Sequence, residues 1–439
     1  MLASLAIACS LAGDLRAQDS GPDASAGAVE APVVPLSAAE RRIVVALRAT
    51  RDKPPPPTET LSKAVIAAAG ESRERLLVIL ETRTVPPVDG SRPQHLSASQ
   101  EELVLAGLKS LGRATVMPSV EQHLAASNTA ATRAGAIAVF GLFGGAADLA
   151  KLVGLAPSPE DKSCNERVAA ALTHAVAAVL QRDARAFDEL SRATQWQSTE
   201  VVAAVVAGVG EARNPRGLAF LSDLLVSRPE VAPDALTNIQ IVGPSFAREV
   251  DIECGTRALM FAGDPHSSLA RAAILAVGTL EDERAVSTLI ALLADDDEGV
   301  RAEVLWSLHR ITGNKLPAQI VEWTRWYAEE DAWYSKEMPR VVGRLRDKDR
   351  GRAAASIKAC MAHRLYRHEL SAALGELVTG VDNEISILAS QALGQLESPV
   401  AIPWLTTASG YDDRNVAAAA RDALARITAR YPRAQAARE

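Results

Sequence analysis

The sequence predicts an all-α chain: a right-handed α-solenoid of stacked antiparallel helix pairs, with a helical N-terminal cap and no β-sheet domain. The first observation behind this is internal repetition. Val202–Leu221, Ala270–Leu289 and Ser386–Leu405 align on Gly210, Gly278 and Gly394. Each has an Ala/Leu/Val-rich helix, a glycine near its end, a short polar turn and a second apolar helix, and repeats of this size mark a solenoid. The second is periodicity. Val286, Leu289, Ile290 and Leu293 form a one-sided stripe, whereas Ala272–Leu280 is apolar most of the way round, as suits a helix between neighbours. The third is composition. Hydrophobic residues reach 48% mainly through Ala, Leu and Val while aromatics are 4%, which fits many thin helical layers better than one bulky core.

The elements follow in order. Met1–Ala12 is apolar and is followed by Leu15-Arg-Ala17, so residues 1–17 read as a secretory signal and predict export to the periplasm or envelope; no Lys or Arg precedes the apolar run. Residues 18–36, rich in Ser, Gly, Ala and Pro, read as a disordered linker. Ser37-Ala-Ala-Glu40 is a capping box that opens a helix to about Arg51, the start of a helical cap over 37–83. Pro54–Pro57 is a stiff spacer within it, and 84–96 is a Pro-rich loop. The repeat array spans 97–430, with a Trp-rich junction at 314–338 and a basic segment at 336–368, and 431–439 is a tail expected to fray. No later segment has the ~18 uninterrupted apolar residues that span a bilayer. Cys9, Cys164, Cys254 and Cys360 form no C-x-x-C pair and read as free, buried thiols.

The best-formed unit, Ser267–Gly313, resembles HEAT repeats. It pairs an Arg284-Ala-Val286 second helix with a following Asp297-Glu-Gly-Val300-Arg301-Ala302 entry, and Arg271 and Arg301 are 30 residues apart. The spacing matches the short bacterial, phycobilisome-lyase-like variety. Weaker copies surround Gly112 and Gly141, so the resemblance covers roughly 97–430 and is strongest from about residue 200 onward. It implies a stacked-helix fold and a scaffold that binds an unknown protein partner, an acidic one among the candidates, but says little more about function, because one fold hosts many. The variety's name raises a lyase-type enzyme as an alternative, and the DNA-gripping members of the family raise nucleic acid as another. Asp295–Asp297 read as a cap of the following helix rather than a calcium loop, because the EF-hand spacing and closing Glu are absent.

Two neighbouring features stand out as candidate partner sites. Trp323, Trp326, Tyr327, Trp333 and Tyr334 crowd one helical stretch, on which 323, 326/327, 330 and 334 share a face. They read as packing between two repeat blocks or as an interface anchor. Residues 336–368 hold ten Lys and Arg, including Arg340, Arg344 and Arg346, against three acids, in a chain of net charge −7. That segment could receive an acidic protein, a phosphate-bearing polymer or anionic headgroups, although overall acidity and export count against nucleic acid. The chain contains no G-x-S-x-G, H-E-x-x-H, P-loop or G-x-G-x-x-G, and its histidines are scattered. No catalytic residue, metal ligand or cofactor is therefore assigned, and the chain reads as non-enzymatic.

Overall fold

A computed structural model describes residues 36–49, 66–67, 69–70, 72–88, 91–158, 160, 164–243, 257, 267–380 and 382–431. The signal segment, most of the linker, Pro54–Pro57, Cys9, Cys254 and residues 432–439 fall outside them. The described chain begins with α1 (Ala38–Ala49), α2 (Arg73–Thr82) and an antiparallel ribbon of β1 (Thr84–Val85) and β2 (Gln94–His95). Next come α3 (Ala98–Leu111), α4 (Arg113–Ala126), α5 (Ala130–Phe143), α6 (Leu149–Gly154), α7 (Glu166–Arg182), α8 (Ala186–Thr194) and α9 (Thr199–Ala212). They are followed by α10 (Gly217–Ser227), α11 (Ala232–Val242), α12 (Ser268–Leu280), α13 (Val286–Leu292), α14 (Glu298–Thr312), α15 (Ile320–Lys336) and α16 (Met338–Arg344). The last are α17 (Arg350–Met361), α18 (Arg367–Val378), α19 (Asn383–Leu396), α20 (Ile402–Ala408) and α21 (Arg414–Arg430).

The protein is an all-α solenoid. One row runs α3, α5, α7, α9, α11, α12, α14, each helix packed on the next; α6, α8, α10 and α13 belong to the second row. The cap is continuous with the array, since Ile43, Leu47, Leu76 and Leu80 share one buried cluster with Val104 and Ile137. The capping box forms as expected: Ser37 N–H donates to Glu40 at 2.8 Å and Glu40 N–H to Ser37 Oγ at 3.1 Å. The Pro-rich loop differs from expectation in carrying the two-residue ribbon, which pairs Thr84 with His95 and buries Val85.

The glycine that aligns the repeats marks a helix crossing. A Cβ on Gly278 would sit 2.8 Å from Ser307 Cα on α14, and one on Gly394 would sit 3.0 Å from Ala423 Cα on α21. Only a missing side chain lets these backbones approach so closely. Three residues on, Arg213, Glu281 and Glu397 all adopt left-handed φ of 51°, 55° and 52°, each at the end of its helix.

Helix entries are capped by the repeat's aspartates. Asp297 accepts from Val300 N–H at 3.0 Å, and Asp349, Asp382 and Asp413 cap α17, α19 and α21 in the same way. Asp295 accepts from Asp297 N–H at 2.8 Å, while Arg301 donates to the carbonyls of Asp295 and Asp296 at 2.8 and 2.9 Å. The acidic run is therefore a capped turn. Asp297→Ala is expected to lower stability by about 1 kcal/mol in urea unfolding, and no change would remove the capping role.

The array does not share one core throughout. A first buried cluster runs from Ile43 to Trp323 and Leu365, and a second from Leu345 to Tyr431. Between them α15 buries only Trp323 and Glu330, and α16 buries nothing. After α14 the second block does not continue the row; its turn at 364–366 abuts α14 instead.

Candidate functional site

Three places on this frame carry concentrated chemistry: the Trp-rich junction with its basic neighbour, a buried ionic cluster where the two blocks meet, and a groove along the first block.

The junction uses its aromatics for packing. Trp323 is fully buried, donates its indole N–H to Pro317 O at 2.9 Å and meets Trp326 edge-on at 5.5 Å. Trp333 stacks on His363 at 3.5 Å between centroids, and His363 Nδ1 lies 3.1 Å from the buried Glu330 carboxylate. Tyr366 stacks with Tyr334 at 4.2 Å and with Trp333 at 6.4 Å, pinning α15 to the second block. Tyr327 is half-buried against the first core, and Tyr334 remains partly exposed. The Glu369 carboxylate beside Tyr334 raises that phenol's pKa, the ionised form being repelled.

The basic segment is largely tied down. Arg340 pairs with Glu337, Arg346 with Glu376, Arg350 with Asp382 and Glu384, and Arg352 with Asp347 and Asp349. Exposed Arg344 has no ion pair among the described residues. Glu337, Asp347 and Asp349 belong to the segment itself, so the formal excess is offset only in part, by Glu376, Asp382 and Glu384 from the next repeat. The structure brings the Trp/Tyr face and Arg340, Arg344 and Arg346 onto successive helices, α15 and α16–α17, but it turns most of the aromatic area inward.

The ionic cluster was not foreseen from sequence. Glu281, 5% exposed, accepts from Arg367 and from the Tyr431 hydroxyl, accepts from Arg430 at 3.0 Å and lies 3.6 Å from Arg310. Arg430 also donates to Glu397 at 2.8 Å and to Arg310 O at 3.0 Å, and Arg364 donates to Glu397 at 2.7 Å. Arg367 donates to Ile311 O, so helix-end carbonyls share the excess positive charge. Burial pushes the Glu281 carboxyl up, but the three arginines and the tyrosine outweigh it and leave its pKa lowered. Burial first, then the Glu281 charge, push Tyr431 up to about 12. Tyr431, assigned from sequence to a frayed tail, is thus buried and bonded. The available signal was faint: Gly278-x-x-Glu281 and Gly394-x-x-Glu397 repeat each other, but nothing local says that Glu281 meets arginines from the other block while Glu397 meets Arg364 and Arg430 of its own.

The groove was also missed. It encloses about 870 Å³ along α3, α5 and α7, floored by Ala98, Leu105, Ala134, Ala138, Ala171 and Ala178 among others. Arg83 pairs with Glu101 at 2.7 Å, and Arg167 donates to Leu80 O at 3.1 Å. Desolvation foremost, with the neighbouring Arg83 charge, lowers the Arg167 pKa. At the other rim Arg182 donates to Gly141 O and Gly144 O at 2.8 and 2.6 Å, and His174 Nδ1 lies 2.9 Å from Glu211. The alanines are individually unremarkable in sequence; only stacking lines up their stripes.

Neither Cys164 nor Cys360 is in a disulfide; Cys164 is half-buried, and burial pushes the Cys360 thiol up to about 11. Among the described residues no group of three or more His, Cys, Asp or Glu is arranged to hold a metal ion, and no helix is long and apolar enough to cross a membrane.

Comparison with known proteins supports the repeat reading. Residues 257–333 match the family described as HEAT repeats. No curated protein sequence matches. Among solved structures, human deoxyhypusine hydroxylase in complex with glycerol is similar at 15% identity and TM-score 0.25, over 65% of this chain and 96% of that one. Kap121p bound to RanGTP is similar at 10% identity and TM-score 0.37, over 89% of this chain and 45% of that one. Kap121p bound to Pho4p gives 10% and 0.35, over 90% and 44%. This chain thus spans less than half of Kap121p, and likeness at this level bears on neither partner nor activity.

Proposed function

We propose that this HEAT-repeat protein is a non-catalytic scaffold that binds a protein partner along the groove of its first block. The observation that supports this most is the groove itself. Three stacked helices present an apolar floor of small side chains to solvent, of a size and character suited to a ligand-bearing surface. Small residues allow an incoming helix to approach to about 8 Å between axes. The junction at Trp323–Arg346 is the rival surface, and it is weakened by its inward-turned rings and by the pairing of Arg340 and Arg346 with carboxylates. Export, read from residues 1–17, belongs to the same proposal.

The test is affinity capture on the full chain from soluble and envelope fractions of the native host, with two variants alongside. Ala138→Trp places an indole on the groove floor, and Arg340→Glu/Arg344→Glu/Arg346→Glu reverses the junction charge. The expected result is one stoichiometric protein that is lost with Ala138→Trp and kept with the charge reversal. The opposite pattern moves the site to the junction, and failure of the unaltered chain to retain any protein sinks the scaffold reading.

A further inference from the structure

The charges that rim the groove are not symmetrically disposed. Lys109 stands in the last turn of α3 and Arg182 in the last turn of α7, so both basic side chains line the end of the groove where the floor helices finish. Arg182 is bonded to carbonyls at the end of α5, which places the ends of α5 and α7 together. Its charge meets no carboxylate among the described residues, and exposed Lys109 has no partner among them either. Glu211, the acid on that rim, lies 2.9 Å from His174 Nδ1, so the rim carries two cations against one carboxylate.

The opposite rim is built from helix starts. Glu101 and Glu102 lie in the first turns of α3; Glu101 is paired with Arg83, and Arg167 is bonded to carbonyls of α2. That rim is neutral overall, and Glu102 is its exposed charge without a partner among the described residues. From Arg167 to Arg182 the floor of α7 runs about 22 Å, the length of a helix of about 15 residues.

We infer that the occupant is a single amphipathic helix of a partner protein, seated antiparallel to α3, α5 and α7. Its first turn is acidic and faces Lys109 and Arg182, and its apolar face rests on the alanine floor. This inference rests on the scaffold reading and adds the partner's chemistry and direction. Three physical terms agree on it. Carboxylates in a helix's first turn are favoured by its own dipole. The same carboxylates meet two cations that lack carboxylate partners. Antiparallel seating opposes the occupant's dipole to those of the floor helices, and an apolar stripe in a groove is a common mode of helix recognition.

The test is selection on the full chain from a displayed library of amphipathic 18-residue helices, with the residues at both ends randomised among Asp, Glu, Lys, Arg and Ser. Enrichment of acidic N-terminal ends over basic ones by about tenfold is expected, from two rim charge pairs plus the dipole. Lys109→Glu, at an exposed position, is expected to cancel the preference, and both Ala138→Trp and Ala171→Trp to abolish binding. Two tryptophan variants are used so that misfolding of one, visible as lost helical circular dichroism, does not decide the matter. Enrichment without end preference, or a preference that survives Lys109→Glu, overturns the inference. If helices are selected without direction yet Ala138→Trp blocks them, the scaffold reading stands and only the polarity fails. If the chain retains anionic phospholipid vesicles but neither helices nor host proteins, both fail.

Discussion

Glu281→Gln is expected to destabilise the protein by about 3–5 kcal/mol and to separate the unfolding of its two blocks. The carboxylate is buried and serves Arg367, Arg430 and the Tyr431 hydroxyl at once, with Arg310 at 3.6 Å. Glutamine keeps the shape but removes the charge. It leaves Arg367, 2% exposed, without a carboxylate, and breaking one side of a buried pair costs that much because the other charge stays desolvated. Glu281 and Arg310 belong to the first block, and Arg367, Arg430 and Tyr431 to the second, so urea unfolding is expected to become biphasic. A single transition at an unchanged midpoint would dismiss the cluster as the tie between blocks. Acid acts on the same group. Because its folded pKa is lowered, its contribution is fully present above the unfolded carboxylate pKa and is lost as pH falls through the folded value. The acid sensitivity of wild type over that range should therefore shrink in Glu281→Gln.

The second large effect concerns the glycine that first betrayed the repeats. Gly278→Val is expected to cost about 3 kcal/mol or more, measured as a urea midpoint shift. Its Cβ would lie 2.4 Å from Ser307 Oγ and 2.8 Å from Ser307 Cα, and a backbone atom cannot swing aside. Gly278→Ala is informative because two terms oppose. Alanine gains up to about 1 kcal/mol of helix propensity, while overpacking costs about 1–3 kcal/mol, so a net loss is expected. Gly343→Ala is the control. A Cβ there meets nothing within 4 Å, so propensity alone should act and stability should rise by about 0.5–1 kcal/mol. If Gly278→Ala and Gly343→Ala both stabilise, close helix approach is not why the glycine is there.

These two residues sit three positions apart in one repeat, yet they were unequally visible. Gly278 was legible because its position recurs: Gly394 makes the same close backbone approach, Gly210 leaves room for the Asn238 side chain of α11, and a recurring crossing leaves a recurring letter. Glu281 also recurs, at Glu397, but its meaning lies in residues 86 and 150 positions away. The Trp-rich stretch falls between these cases. Its helical face was readable from spacing, but whether that face packed a junction or met a partner depended on where the turn at Arg364–Tyr366 came to lie. The basic segment misled in part, because a run of charge in sequence is counted without the acids that Glu376, Asp382 and Glu384 bring from the next repeat.

By itself the sequence determined what depends on near neighbours: helix periodicity, aspartate caps, glycine crossings and hence the stacked-helix architecture. Stacking is a nearest-neighbour interaction between similar units, so its rules are written in every copy. The break between two cores, the burial of Tyr431 and the alignment of alanine stripes into a groove were decided only by the tertiary structure. The break and the burial of Tyr431 depend on how the chain turns after α14, and that turn is the sum of packing choices along α15 and α16 that no single repeat encodes; the groove depends on how α3, α5 and α7 stack side by side.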